Sequence, residues 1–448
     1  MPHERFRFRT LDALANRIDE LGLDLPVTDD LSPLARRVPI GGKATPNALA
    51  IHPMEGCDGT ADGRPDDLTV RRYLRFARGG AGLLWFEATA VVNEGRANPR
   101  QLYLTSEAAP AFARMREEAL AAGREVNGPD YDPFTVLQLT HSGRYSRPGE
   151  APAPIIAHHD GLLDKVFNLP PDYPLIADEE LNRLQGCYVA AAHLARECGF
   201  DAVDIKSCHR YLISELLAAH TRPGRYGGAF ENRTRFLLDV VRRVRAEVPG
   251  IQVAVRLNVY DGHPHPWGWG VDHQDPATPD MSEPLRLIGL LQEAGVTLLN
   301  VTAGNPYYTP HINRPFDTNV TGGYTPEEHP LVGVTRLVHL ARAVKERHPG
   351  MVVVGTGYSW LRHHLGNVAA AVIARGWADL IGVGREAFAY PDFARDLLAT
   401  GQMNPRKTCI ACSRCTQIMR DHGRTGCVPF DREVYGPIYE AGREGAGH

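Results

Sequence analysis

The 448-residue chain has no excess of positive charge and no basic run. Its 49 Lys and Arg residues stand against 53 Asp and Glu, a formal net charge of −4. That balance argues against a nucleic-acid partner, which needs a cationic face. No apolar stretch approaches the roughly 20 residues of a membrane span. The amino-terminal run Met1-Pro-His-Glu-Arg-Phe-Arg-Phe-Arg has no apolar core of the kind a secretion signal requires. A cytoplasmic location is therefore expected, and Asn-x-Thr at Asn232, Asn300 and Asn319 carries no meaning as a glycan acceptor. Disulfides are not expected in such a chain. There is no sequence repeat and no low-complexity tract.

Cysteine is sparse until the carboxyl end. There, Cys409-Ile-Ala-Cys412-Ser-Arg-Cys415 is followed by Cys427. Two-residue gaps let consecutive thiolates converge, and a distant fourth can close the cage of one cubane iron–sulfur cluster. Structural zinc usually takes two separate C-x2-C knuckles. Three cysteines in one knuckle suit a [4Fe-4S] cluster better. The other four, Cys57, Cys187, Cys198 and Cys208, are scattered, and three of them are expected to pack as small apolar groups.

Between residues 41 and 400 short apolar runs alternate with amphipathic segments. Candidate strands are Ala48–His52, Gly82–Phe86, Thr135–Leu139, Ala202–Ile205, Val253–Leu257, Leu298–Val301, Val352–Gly355 and Leu380–Val383. Continuous apolar runs indicate parallel strands buried on both faces. Arg233–Val248 places Phe236, Val240, Val241 and Val244 on one helix face, with arginines opposite. Leu285–Ala294 and Thr335–Arg347 read the same way. Eight such units predict an α/β fold, a (β/α)8 TIM barrel. The expected division is an extension over 1–40 with a helix near Leu11–Leu21, a barrel over 41–400, and a cysteine-rich extension over 401–448. Two connections, Val259–Ser282 and Ala303–Thr325, are long for β/α loops and should hang over the catalytic face.

In such a barrel the chemistry lies just past each strand. The strand ends supply Pro53-Met54-Glu55-Gly56, Glu87-Ala88, Gln138 to Arg144, Lys206-Ser-Cys-His209-Arg-Tyr211, Arg256, Gly355-Thr-Gly357 and Gly384-Arg385. Glycines followed by helix starts form a backbone-amide cradle for a phosphate, with Arg385 as its cation. Gly382 to Ala387 also satisfies G-x-G-x-x-A, but no strand ending in an acid follows, so a dinucleotide fold is not expected. Arg256 sits in an apolar strand and needs a partner, either a salt bridge or a ligand. Gln138 is either a core hydrogen-bonder or a ligand contact. Trp267, Trp269, Tyr307 and Tyr308 either line a substrate pocket or pack a lid. His263 and His265 lack a third ligand for a metal.

These motifs resemble the Old Yellow Enzyme group of FMN-dependent oxidoreductases over roughly residues 40–400. The cysteines resemble its iron–sulfur branch, which includes 2,4-dienoyl-CoA reductase and trimethylamine dehydrogenase. In that branch two nucleotide-binding domains follow the cluster, and the chain resembles a form without them. The resemblance implies FMN contacts from Gln138 and Arg256, with Pro53, Met54 and Ala88 along the flavin ring. Glu55 stands where a small Cys or Thr is common. The resemblance also implies that Lys206 and His209 bind substrate and that Tyr211 donates a proton as flavin N5 delivers hydride. Lys206 departs from the common His.

The reading expected from these residues is reduction of an activated C=C bond, in an enone or enoyl thioester. The alternative is oxidation or demethylation of an amine, with the cluster exporting electrons. A third reading, a non-catalytic subunit wiring a partner flavoprotein, conflicts with the intact constellation of Lys206, His209, Tyr211 and Arg256. Electrons would come from NAD(P)H directly, or from a ferredoxin or flavoprotein reductase. A homo-oligomer is expected by analogy alone.

Overall fold

The computed structural model describes residues 2–445. Eight parallel strands close into a barrel: β1 Leu49–Ile51, β2 Leu83–Ala90, β3 Phe134–Thr140, β4 Ala202–Ile205, β5 Gln252–Tyr260, β6 Leu298–Ala303, β7 Val352–Gly355 and β8 Leu380–Val383. The ring closes where Gly382 of β8 lies opposite Ala50 of β1. The barrel fold is the one expected. Nearly every strand residue is buried, because helices cover the outer face and side chains fill the inner one.

Helices wrap the barrel through apolar stripes. Phe230–Glu247 buries Phe236, Val240, Val241 and Val244, as its periodicity predicts. One arginine departs from the outer face: Arg233 is buried, bonded to the Leu217 carbonyl at 2.6 Å and paired with Glu283 at 2.6 Å. Ser282–Glu293 and Pro330–Arg347 supply two more such helices. Over the amino-terminal stretch, helix Leu11–Glu20 buries Leu14 and Ile18, and Thr10 caps it by accepting from the Ala13 N–H. Phe6 packs edge-on against Trp360. No helix among the described residues is long and apolar enough to cross a membrane.

The strand ends that matter are bent. β2 shifts register between Phe86 and Thr89, and β5 between Asn258 and Tyr260. Such irregularities re-aim side chains beside functional sites. In β2 the shift presents buried Glu87 to Arg72 and to the Gly56 N–H at 2.8 Å, which fixes the turn carrying Glu55.

The two long connections behave differently from one another. In the first, Trp269 is buried, stacks on Phe230 and donates to the Asn258 carbonyl at 3.0 Å. Trp267 lies against Gly161. These two indoles pack the loop rather than lining a pocket. His263 bonds Asp160 at 2.8 Å, and His265 stacks on His273. The second connection sends Tyr307, Asn313 and Arg314 into the cavity described next. Its His311 faces Tyr324.

Candidate active site

At the carboxyl ends of the strands lies one cavity lined by Pro53, Met54, Glu55, Gln138, Lys206, His209, Arg256, Gly357, Gly384 and Arg385. All of these were singled out from sequence. Three others stand behind its wall. Tyr211 reaches it through hydroxyl contacts with Glu55 and Tyr307, both of which line it. Ala88 is buried in β2 and its carbonyl accepts from Gln101, which also donates to Glu55. Gly355 lies under the Tyr358 hydroxyl, where a Cβ would sit 2.8 Å from that oxygen.

The floor is organised by a carboxylate. Asp204 on β4 accepts from Gln138 at 2.6 Å, from Trp85 at 2.9 Å and from the Arg256 N–H at 2.6 Å. Burial pushes its pKa up to about 6, against the pull of those donors. Gln138 is thus a core hydrogen-bonder that also faces the cavity. Arg256 has no carboxylate partner for its guanidinium among the described residues. Its nearest acceptor is the Pro53 carbonyl at 3.5 Å, and its buried Nε bonds nothing among the described residues. Burial lowers its pKa.

The far end is cationic. Gly357 adopts φ +101°, a left-handed conformation that glycine takes without strain, and it caps the turn Tyr358–His364. Arg385 donates one nitrogen to the Pro315 carbonyl, and its Nη1 is left without a partner. Beside it, both terminal nitrogens of Arg314 are buried and unbonded among the described residues. Burial, then repulsion from Arg385, lowers Arg314 to about 9. The Thr356 hydroxyl and His52 Nε2, also on this cavity, are unsatisfied too. Unpaired buried cations and hydroxyls cost several kcal/mol in total unless an anionic, hydrogen-bonding ligand meets them. Sequence reading missed Arg314. Its signal was a cation in a loop that had been noted only for its aromatics.

The strand-four motif forms the opposite wall. His209 and Arg210 both adopt left-handed φ, +64° and +60°, which turns the chain sharply after β4. Arg210 holds that turn through Asp160 at 3.1 Å and Asp261 at 3.2 Å. His209 Nε2 meets the Asn313 amide at 3.2 Å, and burial with Arg256 and Lys206 nearby keeps the ring neutral. Lys206 Nζ lies 3.7 Å from the centre of the Tyr211 ring and 3.9 Å from Glu55. Burial, then Glu55 and Tyr307, raises the Tyr211 pKa well above its usual value, so the phenol keeps its proton. Cys208 is buried with its thiol pushed up to about 12, the state of a packing residue.

Cys409, Cys412, Cys415 and Cys427 line one small void, with Arg385 and Phe388 in its wall. Arg385, Phe388 and Cys415 also line the main cavity, so the two spaces share a partition. Ala411 and Ser413, between the cysteines, take left-handed φ of +50° and +58°. The Ala411 N–H donates to Cys409 Sγ at 3.4 Å. No three His, Cys, Asp or Glu side chains among the described residues converge closely enough to hold a single metal ion.

A family model described as the NADH:flavin oxidoreductase / NADH oxidase family matches residues 38–281. The chain is 25% identical over 385 residues to the NADH oxidase of Thermoanaerobacter brockii, covering 84% of this chain but only 52% of that protein. It is 27% identical over 346 residues to the NADPH dehydrogenase of Bacillus subtilis (strain 168), covering 77% of this chain and 86% of that one. Among solved structures, a complex of 2-naphthoyl-CoA reductase superposes with a TM-score of 0.71 at 18% identity, over 92% of this chain and 58% of that one. That last likeness bears on the fold. With the family model spanning more than half of the chain, this protein belongs to the NADH:flavin oxidoreductase / NADH oxidase family, the Old Yellow Enzyme group of FMN-dependent oxidoreductases.

Proposed function

We propose that the barrel holds FMN in the strand-end cavity, that residues 401–448 hold a [4Fe-4S] cluster, and that the protein reduces an activated C=C bond. The observation that carries this reading is the polarity of one cavity. Arg314 and Arg385, each with at least one terminal nitrogen unpaired among the described residues, line it after β6 and β8, and the Tyr211 hydroxyl stands behind its wall after β4, across the ring of strands from β8. The first pair fits a phosphate. Arg256 and Gln138 on the floor fit the polar edge of a flavin ring, whose cation would favour its anionic reduced form. FMN, when bound, supplies hydride to the substrate carbon.

The residues of the chain then have distinct tasks. Lys206 and His209 face the cavity and orient a substrate carbonyl, with Lys206 offering charge to an oxygen that becomes anionic. Tyr211 gives its hydroxyl proton to the carbon next to that carbonyl. Glu55 accepts a hydrogen bond from Tyr211 and orients the phenol, whose proton is restored from solvent.

The cluster reading rests on four thiols around one void whose wall is also the wall of the main cavity. A single zinc ion needs its ligands close together, whereas a cluster several atoms wide holds them apart. A cluster, when bound, supplies one-electron transfer across that partition. NAD(P)H, or a ferredoxin or flavoprotein reductase, is the corresponding donor.

Amine oxidation is the second reading. Glu55 beside the rings of Tyr211 and Tyr307 could hold an ammonium group. Lys206, 3.9 Å from the same carboxylate, opposes it.

The test is the visible spectrum and iron content of anaerobically purified protein, followed by NADH or NADPH and then enone or amine. Flavin bands over a broad brown absorbance, with reoxidation by an enone, is the expected result. Protein that carries neither flavin nor iron, or that is reduced by amines and not reoxidised by enones, overturns it.

A further inference from the structure

A second chamber adjoins the main cavity. Glu55, Tyr307, Met419 and Arg420 line both spaces. One side of the chamber is aromatic: Tyr145 stacks on Tyr307 with centroids 4.3 Å apart and meets Phe167 edge-on at 5.2 Å. Val166 continues this side and remains 59% exposed, an apolar residue left facing solvent where the chamber wall meets the surface.

The other side is cationic. Arg147 and Arg420 line it, and neither guanidinium meets a carboxylate among the described residues. Arg147 donates to the Glu150 carbonyl through Nε at 2.8 Å and through Nη2, and its Nη1 lies against both ring nitrogens of His422. Burial, then Arg147, holds His422 below its usual pKa, so the ring is an acceptor here. A third lining arginine, Arg144, is already spent on Glu215 and Asp164. Among the described residues Glu55 is the one carboxylate on the chamber wall, at the junction with the main cavity, where Gln101 and Tyr211 bond it. Ser146 lines the chamber at 1% exposure, and its hydroxyl has no partner among the described residues. A buried hydroxyl left unbonded is costly, so its presence on a chamber wall points to a polar group that comes and goes.

We infer that this chamber receives the body of the substrate, a planar aromatic or conjugated group bearing a carboxylate or phosphate at its distal end. The planar part lies along Tyr145, Tyr307 and Phe167. The anion reaches Arg147 and accepts from Ser146, while Arg420, which borders both spaces, adds its charge from the junction. The reacting end is left at the junction, beside Glu55 and Tyr211. This inference rests on the reading that FMN fills the first cavity.

Titration calorimetry of the flavin-loaded protein tests it with three probes: biphenyl-4-carboxylate, biphenyl-4-yl phosphate and neutral biphenyl-4-carboxamide. The two anions should bind at least ten-fold more tightly than the amide. Arg147→Ala should remove most of that preference and leave amide binding within about two-fold, while Arg147→Lys keeps part of it. Val166→Glu should weaken all three. A preference for carboxylate alone, or for phosphate alone, supports the inference and names the anion. Equal binding of all three probes overturns it. So does a preference that survives Arg147→Ala combined with Arg420→Ala, or that disappears in Arg314→Ala instead, which would put the anion in the first cavity. Flavin content, read from the same sample, reports on the first cavity separately. Loaded protein without anion preference sinks the chamber and spares the FMN reading. Flavin-free protein whose anion preference depends on Arg147 sinks the FMN reading and spares the chamber.

Discussion

The Tyr211 hydroxyl donates to Glu55 Oε2 at 3.2 Å, and the Tyr307 hydroxyl stands 3.0 Å from the same phenol. Glu55 is anchored on its other oxygen by Gln101 at 2.5 Å. Two phenols and a carboxylate thus form a hydrogen-bonded chain from the main cavity to the second chamber, since Glu55 and Tyr307 border both.

Removing the first link should separate the two halves of the reaction. Tyr211→Phe keeps the ring, and with it the face that meets Lys206. General-acid catalysis contributes about 10²–10⁴-fold. Reoxidation of reduced flavin by an enone should therefore slow by about 100-fold or more, while flavin reduction changes little. Glu55→Gln should slow reoxidation less and lower the solvent isotope effect. Stopped-flow absorbance of each half-reaction reads both; equal slowing of the two halves in Tyr211→Phe rules out the proton-donor role.

Arg314 should hold flavin rather than the fold. Its terminal nitrogens bond nothing among the described residues, so truncation removes no hydrogen bond that they make there. A charge-assisted hydrogen bond contributes about 1.5–3 kcal/mol. Arg314→Ala should weaken FMN binding by about 10- to 150-fold, read from quenching of free FMN fluorescence, and leave the thermal midpoint of the apoprotein unchanged or slightly raised, because it relieves repulsion with Arg385.

Cys412→Ser should lose iron and keep FMN. The cysteine segment is a late addition to the barrel in chain order, tied to it through Asp431 with Arg71 at 2.7 Å and through the Ala411 carbonyl, which accepts from Asp317 N–H at 3.1 Å. None of these ties needs the Cys412 thiol. Iron and flavin assays on one sample decide the matter, and a full iron complement in the variant would falsify the cluster reading.

The barrel was legible because its signal is local: eight apolar runs, each with a strand-end motif, repeat along the chain. Every barrel strand overlaps its expected run, and β2 and β5 extend further because their bent ends remain paired; the short antiparallel pair Pro39–Ile40 and Lys43–Ala44 was not expected. The site was legible where a residue type is conspicuous in an apolar strand, as with Arg256, Gln138 and Lys206. It was not legible where meaning depends on contacts between distant segments. Trp269 and Arg314 both lie in long loops, and only tertiary packing makes the first a lid residue and the second a cavity cation. Asp204 reads in sequence as one polar residue in β4, yet it ties β2, β3 and β5 together beneath the cavity.

Acidification should weaken the fold through His141. Its Nδ1 accepts from the Gly143 N–H at 3.1 Å, and burial lowers its pKa from 6.5 to about 4. A depressed histidine means that the unfolded chain binds the extra proton first. Its contribution is therefore complete above about pH 6.5 and is lost as pH falls toward 4. Between pH 7 and 5 the loss is on the order of 2 kcal/mol. His141→Asn keeps an acceptor that does not titrate. Denaturant unfolding at the two pH values should show a smaller difference for the variant by about that amount.

Arg210 should be the costliest single loss in the site, although it faces no ligand. It lies between Asp160 and Asp261, both fully buried, and also donates to the Trp267 carbonyl at 2.7 Å. His263 shares Asp160, and Asn258 shares Asp261 at 2.7 Å. Arg210→Leu would leave two carboxylates facing one another without a cation, and breaking a buried pair this way costs about 3–5 kcal/mol. Arg210 and His209 also hold left-handed backbone, which persists only while surrounding contacts enforce it. Losing the clamp should let the turn relax and carry His209 and Tyr211 with it. Substrate reoxidation should then fall along with stability, whereas FMN, held by the opposite wall, should stay bound in whatever fraction folds. Arg210→Lys, which restores charge but not the two-pronged geometry, should recover stability more than turnover. Full turnover in Arg210→Leu at a temperature where it is folded would mean that the strand-four turn needs no clamp.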